Sequence, residues 1–341
     1  MTKPDYIEMA HGGGGRLARS LIETEILPRF GGNVLNGLPD AATLPALSGA
    51  PVLTTDSYVV QPLEFPGGNI GDLAVHGTVN DLAAAGGRPL WLSLALILEE
   101  GLPLTVLRAV LDSVQRRAAE CEIRVATGDI KVVGRGQCDG LYVNTSGLGE
   151  KLPGFDLGSA RIREGDHVLV SGPLADHGAA VLAVRENIRI AGGPVSDTGP
   201  VHRLVEAAAG QAASVHFMRD PTRGGPAAVL NEAVEECGLD ICLTESDLPF
   251  SAGTRAVCEL LGMDPLHLAS EGRLIAVCDG GAAEEILRIW RDRPEGSGAV
   301  RIGTVEAGPA PGSGGRVVLE TVAGGRRLVD VPRGELLPRI C

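Results

Sequence analysis

Four aspartates lie in polar, glycine- or threonine-rich segments beside apolar runs. They are Asp56 in TTDS, Asp81 in VNDLAAAGG, Asp129 in ATGDIK and Asp220 in RDPTRGG. Mg²⁺ takes oxygen ligands such as carboxylates, and it accompanies nucleotide phosphates. A single Asp in such a segment is commonly a turn former or a helix cap, and spacing alone does not bring the four together. As a set they indicate a Mg²⁺–phosphate site.

A run of glycines provides a second candidate for phosphate binding. Gly12, Gly13, Gly14 and Gly15 stand in HGGGGR and precede RLARSLIETEIL, whose apolar residues recur at helical spacing. Backbone N–H groups of such a loop can converge on an anion at the start of the helix. A mobile linker is the alternative interpretation of the same run. The sequence contains no GxxxxGK[ST] motif, which excludes a P-loop.

Cysteine is the third residue type that could take part in a reaction or a binding site. The chain has 7 cysteines, an odd number without CxxC spacing, which argues against a disulfide framework or a thiolate zinc site. Cys341 is the last residue of the sequence and ends the segment VPRGELLPRIC. Ten extended residues span about 33 Å, so we expect a flexible tail that carries Cys341 between sites. The alternative is a frayed end with an incidental cysteine.

Composition limits the classes of partner. The 341 residues carry a net charge of −13, which opposes binding to nucleic acid and to anionic lipid. The longest apolar run, LWLSLALIL at 90–98, is far shorter than the roughly 20 residues of a membrane span. The first residues lack the apolar core of a signal peptide. We therefore expect a soluble cytoplasmic protein with neither nucleic-acid nor membrane partners.

The elements that must position these residues alternate irregularly between strand and helix, which favours an α+β fold. The patterns predict strands at 51–60, around PLWLSLALIL and in RVATGDIKVV and DGLYVNTSGLGE, with helices at 70–87 and 103–122. In the second half they predict helices near 175–187 and 200–211, and strands near 239–244 and 273–278. The polar segment 151–166 predicts a boundary between domains 1–155 and 156–330, followed by a tail at 331–341.

Several segments together resemble the HypE family of hydrogenase maturation factors. They are TTDSYVV, HGTVNDLAAAGG, ATGDIKVV, MRDPTRGGPAAVLNEA, ASEGRLIAV and the final PRIC. The resemblance runs from His11 to Cys341, and the family belongs to the superfamily of aminoimidazole ribonucleotide synthetase and selenophosphate synthetase. It implies a two-domain PurM-like architecture and a homodimer whose N-terminal units share a β-barrel. The glycine run lacks the Ser or Ala expected within it.

The resemblance also implies a reaction. Cys341 would receive a carbamoyl group from a HypF-type carbamoyltransferase, and ATP would drive dehydration of the thiocarboxamide to a thiocyanate. The nitrile would pass to iron on the HypC–HypD scaffold and become a cyanide ligand of NiFe-hydrogenase. The chemistry is coherent, because phosphorylation turns an amide oxygen into a good leaving group and a thiol is a suitable soft carrier.

Residue roles follow from the same resemblance. Asp56, Asp81 and Asp220 would hold Mg²⁺ on the phosphates. Proton removal from the amide would fall to His76, Lys131 or Glu271, and Lys131 would also neutralise the transferred phosphoryl group. The nucleotide would be bound by Gly12, Gly13, Gly14, Gly15, Asn80, Thr127, Asp129 and Arg223. His76 on a helix and Arg223 after Asp-Pro-Thr have ordinary structural alternatives.

Three other functions compete with this interpretation. A selenophosphate synthetase carries a reactive Cys or selenocysteine near its N-terminal glycines, whereas the first cysteine here is Cys121. A thiamine-phosphate kinase would leave the PRIC ending unexplained. A non-catalytic scaffold that presents Cys341 would not need the carboxylates.

Overall fold

The computed structural model describes residues 6–31, 38–308, 314–331 and 339–341. Most of the predicted tail, 332–338, and part of the glycine-rich stretch 307–315 lie outside these ranges. The first half contains α1 (Arg16–Leu21), α2 (Leu27–Phe30), β1 (Pro51–Tyr58), β2 (Glu64–Phe65), β3 (Gly68–Asn69), α3 (Ile70–Ala84), β4 (Gly87–Glu99), α4 (Leu104–Glu120), β5 (Arg124–Val133) and β6 (Leu141–Lys151).

The first half is built on a four-stranded sheet in the order β1-β6-β4-β5, in which only the β4–β5 pair is parallel. Helix α3 packs against the inner face of this sheet, and all of its residues except Asp81 are buried. Its N-terminus is fixed by Asn69, whose side chain accepts hydrogen bonds from the N–H groups of Gly71 and Asp72. The predicted strand at 51–60 is confirmed as β1. The predicted helix at 70–87 ends earlier, because Gly86 has φ +72° and Gly87 begins β4.

The second half is built on a seven-stranded sheet in the order β13-β12-β9-β11-β7-β10-β8. Its helices and strands are β7 (His167–Val170), α5 (Asp176–Arg185), α6 (His202–Ala207), β8 (Val215–Arg219), α7 (Gly225–Cys237), β9 (Asp240–Thr244), α8 (Ala252–Leu261), β10 (Ile275–Cys278), α9 (Ala283–Arg291), β11 (Val300–Glu306), β12 (Val317–Glu320) and β13 (Arg326–Leu328). Between the two sheets, the chain from Lys151 to His167 contains the predicted boundary near 155.

The central strands of the second sheet are buried on both faces. Val168 and Val170 of β7 pack in one core with α7, whereas Leu169 between them packs in another with α9. Strands covered on both faces read as continuous apolar runs, which explains why HVLV and IAVC lack the alternation of a half-exposed strand.

Direct hydrogen bonds join the two halves. The Asn80 amide on α3 donates to the carbonyl oxygens of Gly199 and Glu271, at 3.0 and 3.1 Å, and accepts from the N–H of Val201 at 2.8 Å. The N–H of Ser196 donates to the carbonyl oxygen of Pro66 at 2.8 Å. The second half therefore covers part of the surface of α3, and α4 of the first half covers another part.

Candidate functional site

Residues 339–341 at the end of the chain are docked against the first half, and the flexibility expected of the tail stays a prediction. Ile340 is 3 % exposed and belongs to the core of the first half, and Cys341 packs against that core. The N–H of Val59, just beyond β1, donates to the carbonyl oxygen of Cys341 at 3.0 Å. The docked conformation fixes the position of the Cys341 thiol.

The thiol lies among charged groups. Burial raises the pKa of Cys341 well above its usual range, and the neighbouring carboxylates of Glu271, Asp56 and Asp220 raise it further. Arg223 opposes this shift because its positive charge favours the thiolate. The guanidinium group of Arg339, two residues before the thiol, pairs with Asp139. In the docked state Cys341 is therefore a neutral thiol.

The three aspartates predicted as metal ligands lie close enough to interact electrostatically. Asp81 accepts a hydrogen bond from the Thr54 hydroxyl at 2.7 Å, and burial together with the Asp56 charge raises its pKa. Burial and the Asp81 charge raise the pKa of Asp220 to about 7. Asp81 and Asp220 also line a cavity of about 410 Å³ between the two halves. Sequence spacing alone did not establish this convergence.

Glu271 lies in the loop before β10 and is 2 % exposed. Burial and the charges of Asp220 and Asp197 raise its pKa well above the usual value. Its Oε1 atom has no hydrogen-bond partner among the described residues. Its main chain is fixed on both sides, because its N–H donates to Asp197 at 3.0 Å and its carbonyl oxygen accepts from Asn80. Glu271 is a rigidly positioned carboxyl group with unused hydrogen-bonding capacity beside the thiol.

Two predicted site residues on α3 are fully buried. The pKa of His76 is lowered to about 3, mainly by burial, which leaves the imidazole neutral and weakly basic. Its Nδ1 atom is 3.2 Å from the Thr198 hydroxyl, and Nε2 has no partner within the described ranges. Asn80 uses its amide for the three main-chain bonds described above. Both side chains link α3 to the second half.

The remaining predicted side chains of the first sheet lie on its opposite face. Asp129 and Lys131 of β5 pair in register with Ala95 and Ile97 of β4, whereas the alternate residues Leu94 and Leu96 are buried. Successive side chains of a strand point to opposite faces, so Asp129 and Lys131 point outward. They form an exposed ion pair at 2.6 Å, and Lys131 lowers the pKa of Asp129. Thr127 shares this outward face.

The glycine run approaches β5 closely. A Cβ atom on Gly12 would lie 2.7 Å from the backbone nitrogen of Val132, and Gly14 has φ +72°. The close approach at Gly12 and the positive φ at Gly14 explain why these two positions are glycine. A cavity of about 270 Å³ opens beside the loop and is lined by Gly12, Gly14, Thr127, Asp129 and Lys131 together with apolar residues of α1, α2 and β4. Of the predicted nucleotide-binding residues, Gly12, Gly14, Thr127 and Asp129 therefore line one pocket.

Sequence reasoning missed several groups around the thiol. His177 and Arg185 of α5 bind the last residues of the chain, and Asp197 holds the Glu271 loop. Burial raises the pKa of Asp197 to about 6. Each of these residues stands in an ordinary apolar or polar segment, and no local pattern marked them. Their relevance depends on where the end of the chain docks.

The described residues contain neither a preformed metal-binding group nor a membrane-spanning helix. Within the described part of the chain, no group of three or more His, Cys, Asp and Glu residues is arranged to hold a metal ion. Across the same residues, no helix has the length and apolar character needed to cross a bilayer.

The architecture and the site define a class of protein. Two family models match the chain: the N-terminal domain of AIR synthase related proteins over residues 39–150, and the C-terminal domain over residues 163–314. The predicted α+β, PurM-like fold is thereby confirmed. The protein is a two-domain member of the AIR synthase related class.

Full-length relatives narrow the class to one family. The carbamoyl dehydratase HypE of Rhodobacter capsulatus is 44% identical over 344 residues, covering 99% of this chain and 99% of the relative. A crystal structure of hydrogenase maturation protein HypE in complex with ATP is 41% identical, with a TM-score of 0.93 over 98% of this chain and 99% of that one. One chain in a crystal structure of a HypE–HypF complex is 38% identical to this chain, with a TM-score of 0.80. The match covers 92% of this chain and 100% of that one. The chain belongs to the HypE family of carbamoyl dehydratases, as its motifs indicated.

Proposed function

We propose that the chain carries a carbamoyl group on Cys341 and uses ATP to dehydrate it to a thiocyanate for hydrogenase maturation. The observation that carries the proposal is the docked position of Cys341, whose thiol interacts with Glu271, Asp56, Asp220 and Arg223. These groups come from separate segments of the chain.

The reaction balances without an oxidant or reductant. The thiocarboxamide oxygen attacks the γ-phosphorus of ATP, and the bond to ADP breaks. The phosphorylated oxygen then leaves with the phosphate, while the two N–H protons pass to a base and to solvent. The products are the thiocyanate, ADP and phosphate, and the net loss from the carried group is one molecule of water.

Glu271 is the best-placed group to accept an amide proton. Its buried Oε1 atom is free of protein hydrogen bonds within the described ranges, and its charge acts electrostatically on the Cys341 thiol. A raised pKa makes an ionised carboxylate a stronger base. Positive charge that enters with the nucleotide would favour the ionised form of Glu271, because burial and the charges of Asp220 and Asp197 raise its pKa. His76, with its pKa near 3, is a weaker candidate for the same role.

Asp56, Asp81 and Asp220 would hold Mg²⁺ with the triphosphate. The three carboxylates by themselves do not form a complete metal site among the described residues, so oxygens of the triphosphate would have to complete the coordination. Besides burial, the Asp56 charge raises the pKa of Asp81 and of Asp220, and a cation would relieve this repulsion. When bound, Mg²⁺ supplies charge neutralisation for the transferring phosphoryl group. Arg223 is exposed at the edge of this group and would bind a phosphate oxygen.

The pocket beside the glycine run is a second candidate site for binding part of a nucleotide. Its apolar lining suits an aromatic base, and its rim carries Thr127, Asp129 and Lys131. These three side chains lie on the outward face of the first sheet, whereas Asp56 shares the opposite face with Thr54. A second copy of the chain packed on the outward face would place the pocket rim in a homodimer interface. The proposal therefore includes a homodimer and a nucleotide site beside the subunit boundary.

Loading and dehydration would use different positions of the tail. The docked thiol is neutral, and a neutral thiol is a poor nucleophile, so carbamoylation by a HypF-type carbamoyltransferase requires the tail to leave the carboxylates. The carbamoylated sulfur is uncharged and can return to the same place without the penalty that a thiolate would meet. A later release would present the thiocyanate to a HypC–HypD iron scaffold.

Mass spectrometry of the carbamoylated protein tests the proposal. We expect carbamoyl transfer to add the group to the Cys341 peptide and ATP with Mg²⁺ to remove one molecule of water from it. Cys341→Ala should abolish both changes and retain ATP binding, whereas Cys237→Ala, at a partly buried internal cysteine, should behave like the wild type. Modification of an internal cysteine with Cys341 unmodified would overturn the assignment.

A further inference from the structure

The last three residues are recognised largely through their main chain. The N–H groups of Val59 and Gln61 donate to the carbonyl oxygens of Cys341 and Arg339, at 3.0 and 3.4 Å. The pairing runs antiparallel and continues the direction of β1 beyond its last residue, Tyr58. An extended peptide that binds the continuation of a strand gains affinity from main-chain hydrogen bonds and specificity from side-chain pockets. Ile340 fills such a pocket, since it is 3 % exposed.

Helix α5 forms the opposite wall of this groove. His177, Val181 and Arg185 recur at four-residue steps and so lie along one face of the helix. The Arg185 guanidinium donates to the carbonyl oxygens of both Gln61 and Arg339, and thereby bridges the groove to the tail. Val181 belongs to the same core cluster as Ile340. The helix therefore contacts the docked segment along its length.

His177 makes the central contact of this wall. Its Nε2 atom is 2.8 Å from the carbonyl oxygen of Ile340, and its Nδ1 atom is 2.8 Å from the Ser196 hydroxyl. The Ser196 oxygen accepts from the N–H of Thr198 at 3.1 Å, which leaves its hydroxyl proton for Nδ1. A carbonyl oxygen only accepts, so Nε2 must carry the ring proton. Burial lowers the pKa of His177 to about 4, which keeps this one tautomer neutral at physiological pH.

The same helix terminus holds the loop of the candidate base. The N–H of Gly178 donates to the carbonyl oxygen of Ala269 at 2.9 Å, and the N–H of Ala175 donates to the Ser270 hydroxyl at 2.7 Å. Glu271 follows directly. The start of α5 therefore holds the last turn of the tail through His177 and the carboxyl-bearing loop through its neighbours.

We propose that His177 is a positioning residue that sets the Cys341 sulfur against Glu271, through its hydrogen bond to the Ile340 carbonyl in a peptide groove formed by Val59, Gln61 and Arg185. The inference rests on the proposed function, in which Cys341 carries the reacting group. Nothing in the reaction requires the imidazole to touch that group. Its contribution is geometric, and small errors in the placement of a reacting atom are costly.

The first measurement follows docking without any turnover. The full chain is treated with iodoacetamide, and the alkylation rate of each cysteine is read by peptide mass spectrometry. His177→Leu fills the space without a donor, whereas His177→Gln keeps an N–H donor in a less well-shaped side chain. We expect Leu to raise the Cys341 alkylation rate about tenfold or more, because a buried carbonyl loses its partner, and Gln to raise it much less.

His202→Leu is the matched control, because His202 is also buried but lies at the start of α6, away from the tail. It should leave the Cys341 rate at the wild-type value, and Cys237 should react at the same rate in every variant that folds. Equal protection of Cys341 in wild type and His177→Leu would overturn the docking role. Slower alkylation of Cys341 in His177→Leu than in His177→Gln would show that packing, and not the hydrogen bond, holds the tail, and would overturn the role of the hydrogen bond.

The second measurement follows positioning. Carbamoylated chains are mixed with saturating ATP and Mg²⁺, and a single turnover of dehydration is timed. We expect His177→Leu to slow this step about tenfold or more with unchanged ATP affinity, and His177→Gln to recover most of the rate. Normal dehydration in a Leu variant whose Cys341 is exposed would overturn the positioning role. If the wild type fails to dehydrate the carbamoyl group, the proposed function is wrong and the positioning role with it. The relative alkylation rates of Cys341 in the variants would still show whether His177 holds the docked tail.

Discussion

At the scale of residues, the site concentrates like charges around a sulfur. Burial and the charges of Asp81 and Asp56 raise the pKa of Asp220, and burial and the Asp56 charge raise the pKa of Asp81. Burial and the Asp220 charge raise the pKa of Glu271. The arrangement is electrostatically unfavourable without a cation. Groups with shifted pKa values are typical of functional sites, and here they lie near the residue that we propose carries the substrate.

The pKa of Asp220 gives a prediction for stability. Its folded value, about 7, exceeds the ordinary value of an unfolded Asp, so the folded state holds this proton longer. The stabilisation is complete below the unfolded pKa and is lost as the pH rises to 7. The unfolding free energy of the wild type minus that of Asp220→Asn should therefore decrease as the pH rises from about 4 to 7. The decrease should be at most about 1.4 kcal/mol per pH unit.

Chemical denaturation at several pH values measures this slope. Asp129→Asn is the control, because Lys131 lowers the pKa of Asp129 and the sign of its contribution is reversed. Mg²⁺ with ATP should flatten the Asp220 slope by favouring the ionised carboxylate. A difference that stays constant over this pH range would contradict the raised pKa.

At the scale of elements, α3 is placed by how closely its backbone approaches β1. A Cβ atom on Gly77 would lie 2.3 Å from the hydroxyl oxygen of Tyr58, whose fully buried ring cannot move aside. This contact fixes the distance between the strand that carries Asp56 and the helix that carries Asp81. The glycine therefore supports the site without taking part in it.

Gly77→Ala should destabilise the protein by about 1–3 kcal/mol, the usual cost of an extra methyl group in a packed core. Gly210→Ala is the matched control, since the added atom there meets nothing within 4 Å. It should be neutral or slightly stabilising. Thermal and chemical unfolding of the two variants measure the difference, and equal stability would mean that α3 can shift away from β1 at little cost.

At the scale of the whole molecule, the first sheet has one face covered by α3 and the other exposed. Leu53 on that outward face is 75 % exposed, and Ile97 is 39 % exposed. A sheet face with large apolar residues is normally covered by another layer. The proposed homodimer supplies that layer from a second copy of the chain.

Sedimentation velocity at micromolar concentration tests the interface. The wild type should be dimeric, and Leu53→Glu should shift it towards monomer because the charge would be buried between like faces. Leu260→Glu is the control, since Leu260 is 67 % exposed but lies on α8 in the second half. A monomeric wild type, or equal effects of the two substitutions, would contradict a dimer through this sheet.

The sequence by itself determined the local elements, the family and the chemical inventory of the site. Helices α3 and α4 and the strands around Asp56 and Asp129 were predictable because side-chain periodicity is a local property. The motifs around Asp81, Asp220 and Glu271 were recognisable for the same reason. The element bounds moved by a few residues where a backbone conformation such as that of Gly86 ended a pattern.

Only the tertiary structure decided which of these residues meet. Asp56, Asp220 and Glu271 come from three distant segments, and their charges all act on Cys341. Asp81 on α3 interacts with Asp56 and Asp220, because α3 packs against both halves. Asp129 and Lys131 point to the other face of the same sheet, which follows from strand register and not from the motif that contains them. His177 gained a partner only when the end of the chain docked beside it. The meeting of the carboxylates, the direction in which Asp129 and Lys131 point, and the docking of the chain end all depend on contacts between residues far apart in the chain. Local sequence patterns do not encode such contacts.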